Sequence, residues 1–108
     1  MNFSIEHIGI TVDKPVEMAK WYKDVLGFEI KFSGEDSEKG VAFIMDADNK
    51  VMLELGKIAG VKPLKTGMSH HLQFHVALES EAPDEDADYL VQNGAKYIEK
   101  CPIAVCSR

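Results

Sequence analysis

Cysteine is scarce in this 108-residue chain: Cys101 and Cys106 are its two, and both fall in the last eight residues. They read as reduced thiols of a protein kept in a reducing compartment. No further soft ligands lie near them, which excludes a zinc site built on cysteine. Positive charge is also in deficit. Twelve Lys and Arg stand against eighteen Asp and Glu, a formal net charge of -6, so a nucleic-acid footprint is excluded. No apolar run approaches the ~20 residues that a membrane-spanning helix needs. No basic stretch followed by an apolar one opens the sequence, so no secretory signal is expected and a cytoplasmic location follows by default. Tryptophan occurs once, at Trp21.

What is present describes one domain. An apolar fraction of 45% and a charged fraction of 28% are ordinary for a globular protein. The length allows a modest core. Acidity is concentrated in Glu79, Glu81, Asp84, Glu85, Asp86 and Asp88. Carboxylates suit the positive end of a helix, so this cluster reads as a solvated helix start.

Periodicity orders the first half of the chain. Residues 5–12 alternate as a strand, with Ile8, Ile10 and Val12 on one face and His7, Gly9 and Thr11 on the other. Asp13 is expected to cap a helix that Pro15 begins. Met18, Trp21, Tyr22 and Val25 recur at helical spacing as its expected buried face, and Gly27 ends it. Strands are expected over 28–33, 41–45 and 51–56, separated by a charged loop over 34–40 and a polar hairpin turn over 46–50. In the last strand Leu53 and Leu55 face one way and Glu54 the other. A linker spans 57–69.

The pattern then restarts. His71-Leu72-Gln73-Phe74-His75-Val76 matches residues 7–12 in phase. A helix follows near 83–93, with Ala87, Leu90 and Val91 as its core face, and then a strand near 95–100. The chain therefore reads as an internal repeat of a βαβββ module, an α+β fold. Module one covers about 3–56 and partial module two covers 70–108 of the single domain 1–108. Two further strands would need roughly twenty-five residues. The second module is thus expected to be incomplete, through truncation or because another chain finishes it.

Phase places His7, Glu54, His71, Gln73 and His75 away from the greasy faces. Two imidazoles and a carboxylate converging on one cavity form a plausible donor set for a divalent metal. Glu54 carries the most weight, since a carboxylate between two leucines in a central strand is costly without a partner.

The His-bearing strand, the helix and the element Trp21-Tyr22…Leu26-Gly27-Phe28 together resemble the vicinal oxygen chelate superfamily. That superfamily includes glyoxalase I, extradiol dioxygenases and bleomycin-resistance proteins. The resemblance implies metal ligation by His7, Glu54 and His71, with a fourth carboxylate on a final strand that this sequence does not reach. The metal would be Zn, Ni, Co, Mn or Fe. Glu54 would be the catalytic carboxylate, and Thr11, Gln73 and His75 would contact substrate. Glyoxalase I commonly carries an arginine gripping glutathione where this chain has Thr11, so a different substrate handle is expected. The function implied is a metal-dependent lyase or isomerase of the lactoylglutathione lyase type, acting on a small carbonyl or enol substrate. The alternatives are a metal-free small-molecule-binding protein of the bleomycin-resistance kind and an inactive truncated member. A homodimer is expected, because an unfinished module leaves a strand edge that needs cover.

Overall fold

The computed structural model describes residues 1–98. Its chain forms two compact units that divide between Gln73 and Phe74.

The first unit holds β1 (Ile8–Thr11), α1 (Pro15–Leu26), β2 (Glu29–Glu35), β3 (Lys39–Met45), β4 (Met52–Ile58), the short helix α2 (Leu64–Gly67) and a 3-10 turn at His71–Gln73. The sheet order is β1-β4-β3-β2. β1 runs parallel to β4, and the other two pairings are antiparallel. This is the first βαβββ module, and the α+β class stands.

One face of the sheet carries α1, which packs on β2, β3 and β4. Between them lies a small core of Val12, Ala19, Phe28, Ala42, Ile44, Leu53 and Leu55. The helix meets the sheet through Pro15, Ala19, Tyr22 and Leu26. This stripe is rotated by about one residue from the expected one, and Met18 is 38% exposed. The reason is the docking of the first turn. A Cβ on Gly40 would meet Pro15 Cγ at 3.0 Å, so β3 omits a side chain to let the proline ring approach. Pro15 inward puts Ala19 inward, four residues on. Burial pushes the Tyr22 hydroxyl above its ordinary pKa.

Asp13 does not cap α1. The N-cap residue is Lys14, and no side chain bonds to the helix start. The other end behaves as expected. Gly27 adopts φ 73°, a left-handed turn that glycine takes without strain, and its N–H donates to Lys23 O.

The expected loop over 34–40 is mostly strand. Gly34 pairs with Val41 and Glu35 with Gly40, leaving residues 36–38 to turn. Asp36 closes that turn, its Oδ1 accepting the N–H groups of Glu38 and Lys39, each at 2.9 Å. Those bonds hold its carboxyl below the usual carboxylate range. The turn between β3 and β4 is built alike. Asp46 Oδ1 accepts from Lys50 N at 2.7 Å and Val51 N at 3.1 Å, and Asn49 takes φ 56°.

The strand expected over 71–76 is not formed. Residues 71–73 turn as a 3-10 helix and no regular element follows until α3. A strand exists through its neighbour, and β1 has β4 beside it. No strand follows β4 among the described residues, so the alternation Leu72, Phe74, Val76 has no comparable ladder to join. In the second unit the described regular element is α3 (Pro83–Gln92), with Asp84, Glu85 and Asp86 in its first turn. The acidic cluster is thus a helix start. None of the residues of α3 is buried, its expected core face included. Residues 95–98 are not strand. Residues 99 and 100, with Cys101 and Cys106, lie outside the described residues.

Candidate functional site

The sheet face opposite α1 carries the chemistry. Pairing fixes its layout row by row. Gly9 lies opposite Glu54, which lies opposite Phe43, which lies opposite Phe32. In the next row Thr11, Gly56, Val41 and Gly34 lie side by side. Beyond them Ile58 pairs with Lys39. An open groove of about 650 Å³ lies over these rows, and Gly9, Thr11, Glu54 and Gly56 are among its lining residues.

A bulge in β2 helps build it. Ile30 pairs with Ile44 and Phe32 with Phe43, so Lys31 is an extra residue on its strand. Without it Phe32 would follow Ile30 onto the helix side. The bulge turns the Phe32 ring to the groove side instead.

Glu54 projects from β4, one of the two inner strands, with its side chain 37% exposed. His7 Nε2 stands 3.9 Å from Glu54 Oε1. The other imidazole nitrogen, Nδ1, donates to Glu6 Oε1 at 2.9 Å. The ring meets Phe43 edge to face at 5.3 Å. The histidine is thus held from two sides, and the Glu6 contact favours the tautomer that leaves an Nε2 lone pair facing Glu54. Gly9 makes room, since a Cβ there would meet Glu54 Oε1 at 3.2 Å.

Two donors that share one ion, each bound at ~2.0–2.2 Å, stand roughly 3.4 Å apart at a tetrahedral angle and about 4.2 Å apart when opposite one another. The His7–Glu54 separation of 3.9 Å lies between these, so a tetrahedral ion would draw the two side chains together by about half an ångström. Nitrogen with oxygen is a donor set that zinc and neighbouring transition metals accept. His71 lies in the 3-10 turn, its ring stacked on His70 at 4.2 Å. Among the described residues no three His, Cys, Asp or Glu gather closely enough to hold one ion. The structure thus brings together two of the three expected donors.

The expected substrate contacts fall in different elements. Thr11 lines the groove. Gln73 Oε1 accepts from Ser69 N at 2.7 Å, Ser69 Oγ at 3.1 Å and His70 N at 3.0 Å, so that oxygen is engaged in its own turn. His75 lies in the second unit. Phe43, Val41 and Gly56 were readable from strand alternation as members of this face. Phe32 was not, because the bulge breaks its phase.

A family model described as the Glyoxalase/Bleomycin resistance protein/Dioxygenase superfamily matches residues 4–102. No curated protein matches the sequence. Among solved structures the chain is similar to a glyoxylase/bleomycin resistance protein/dioxygenase domain from Frankia sp. EAN1pec. Identity is 16% and the TM-score 0.62, over 94% of this chain and 84% of that one. It is also similar to a mutant of the fosfomycin resistance protein FosX from Listeria monocytogenes, complexed with Mn(II) and 1S,2S-dihydroxypropylphosphonic acid. That match has 17% identity and a TM-score of 0.61, over 96% and 79% of the two chains. FosX complexed with Mn(II) and sulfate matches at 16% identity and a TM-score of 0.58, over 93% and 79%. At such identities the likeness is one of fold.

Proposed function

The chain belongs to the glyoxalase/bleomycin resistance protein/dioxygenase superfamily, and on that premise we propose that it is a divalent-metal-dependent lyase or isomerase acting on a small carbonyl or enol substrate. The observation that carries this reading is the His7–Glu54 pair, 3.9 Å apart, on the open face of the sheet. His7 and Glu54 would hold the ion with water in the remaining positions, and His71 would become the third protein donor only by leaving its stack on His70. The FosX structures, which contain Mn(II), support a divalent ion within this fold.

The bound ion would supply Lewis acidity towards adjacent oxygens of the substrate. The residues do the rest. Glu54 would carry a proton to or from a substrate carbon. Glu6 orients the His7 ring. Thr11 offers a hydroxyl from the neighbouring strand, two residues along from Gly9. A homodimer belongs to this proposal, and sedimentation velocity reads it directly.

The apolar part of the groove, with Phe32, Val41, Ile58 and Val61 among its lining, supports a second reading: a metal-free protein that sequesters a small molecule. One titration separates the two. Purified protein is titrated with Mn(II) and followed by calorimetry and by the electron paramagnetic resonance of the free ion. The metal reading expects one ion per chain, with affinity lowered at least about tenfold in His7→Ala and in Glu54→Gln and unfolding temperatures little changed. No binding by the unmodified protein, or binding by both variants as tight as that of the unmodified protein, overturns it.

A further inference from the structure

Each of the four strands carries one glycine: Gly9, Gly34, Gly40 and Gly56. None of the four has a positive φ, so none is required by its backbone conformation. Glycine inside a strand weakens it by roughly 0.5–1 kcal/mol relative to alanine, so each position asks for a reason. Two have one within the molecule. A Cβ on Gly9 would meet Glu54 Oε1 at 3.2 Å, and one on Gly40 would meet Glu35 Cβ and Pro15 Cγ, each at 3.0 Å. One on Gly34 would make an ordinary contact with Phe32 Cζ at 3.9 Å, so space does not require glycine there. At Gly56 the space is wider still: a Cβ there would meet nothing within 4 Å.

Gly56 is nonetheless ringed. Along β4 its neighbours on the same face are Glu54 and Ile58, and across the sheet they are Thr11 and Val41. All five residues line the groove. Neighbouring strands lie ~4.8 Å apart and same-face residues about 6.7 Å apart along a strand. The missing side chain therefore leaves a socket the size of one side chain, with backbone as its floor. Its walls are two aliphatic groups, one hydroxyl and the Glu54 carboxylate.

We propose that the Gly56 socket receives a compact apolar substituent of the substrate, a branched alkyl group or a phenyl ring, carried on the carbon next to the adjacent oxygens. This rests on the reading of His7 and Glu54 as the reacting end of the site. Gly56 is then a specificity-determining residue. Its backbone admits the substituent, Val41 and Ile58 contact it, and Glu54 on the fourth wall lies beside the carbon that bears it. A hydrogen in that place would leave the socket holding water against two aliphatic walls.

The test is size complementation with acetohydroxamate, isobutyrohydroxamate and benzohydroxamate, which share one pair of adjacent oxygens and differ in substituent. Binding to the Mn(II)-loaded protein should strengthen about tenfold from the methyl to the phenyl member. Gly56→Val should leave acetohydroxamate and Mn(II) affinities unchanged and lose about tenfold for benzohydroxamate. Gly56→Ala, whose methyl meets nothing within 4 Å, should fall between and guards against misfolding of the valine variant. Equal affinities along the series, equal losses for all three ligands in Gly56→Val, or no hydroxamate binding at all overturns the socket. If Mn(II) does not bind the unmodified protein, the metal reading falls. The socket is then decided by the same series without metal, where a selective loss of benzohydroxamate in Gly56→Val supports it.

Discussion

Glu54 and Gly9 face one another across the β4–β1 pair so closely that a methyl group on residue 9 would lie 3.2 Å from Glu54 Oε1. The glycine is the space into which the carboxylate leans towards His7. Gly9→Ala should therefore act on the site more than on the fold. An added methyl in an ordinary strand conformation tends to stabilise by about 0.4–1 kcal/mol through the unfolded chain, which offsets the crowding. The unfolding temperature should stay near that of the unmodified protein while Mn(II) affinity falls about tenfold, or ~1.4 kcal/mol. Unchanged affinity would show that the position of Glu54 does not matter to the ion.

The inward residue of α1 makes a second prediction. Ala19 is fully buried against the sheet, whereas Met18 is 38% exposed. Ala19→Leu forces a larger side chain into filled space and should cost about 1–3 kcal/mol. Met18→Leu should change stability by less than about 0.5 kcal/mol, as surface substitutions usually do. Chemical denaturation of the two variants checks the helix phase directly, and the opposite ranking would place the stripe where periodicity alone puts it.

That difference shows what could be read from the sequence. The order strand, helix and three strands followed from alternation and from Gly27, and the structure has it. The facing of Glu54 away from Leu53 and Leu55 followed too, because a strand's period of two leaves no freedom. The helix phase did not follow, since Met18 and Trp21 are as apolar as the residues that are buried. What decides it is the contact between Pro15 and Gly40, residues far apart in sequence. The side of the sheet that Phe32 takes depends on a bulge that no residue type announces. The segment 71–76 has the alternation of β1 but not its neighbour, and pairing is a property of two strands. Of the expected site, the His7–Glu54 pair was legible for the same reason that β1 and β4 were.

The Asp46 turn carries a pH signature. Hydrogen bonds from Val51 and Lys50 N–H hold its carboxyl below the usual carboxylate range in the folded protein. A group lowered in this way contributes stability that is present above its unfolded value, about 3.9, and lost as the pH falls through the lower folded value. Asp46→Asn cannot titrate. It should lower the unfolding temperature at neutral pH and narrow its distance from the unmodified protein below about pH 4. Asp36 closes the other hairpin in the same way, so Asp36→Asn should behave alike. Thermal melts across pH 2–7 measure both, and parallel curves for variant and parent would contradict the assignment.

Glu6 makes the last prediction, because it touches the site only through His7. His7 Nδ1 donates to Glu6 Oε1 at 2.9 Å, and the opposite nitrogen faces Glu54. Partners of this kind hold a ligating imidazole in one tautomer and orientation, and removing one commonly costs 10–100-fold in metal affinity. The Glu6 side chain is 75% exposed, so water screens the pair and competes for it. The effect should therefore lie at the low end, about tenfold weaker Mn(II) binding in Glu6→Ala. Glu6→Gln keeps an acceptor oxygen in place and should recover most of that loss. Neither change should move the unfolding temperature, since an exposed pair of this kind contributes little to stability. Equal losses in both variants would mean that the charge of Glu6, rather than its hydrogen bond, is what His7 uses. No loss in either would mean that the edge contact with Phe43 at 5.3 Å is enough to hold the ring.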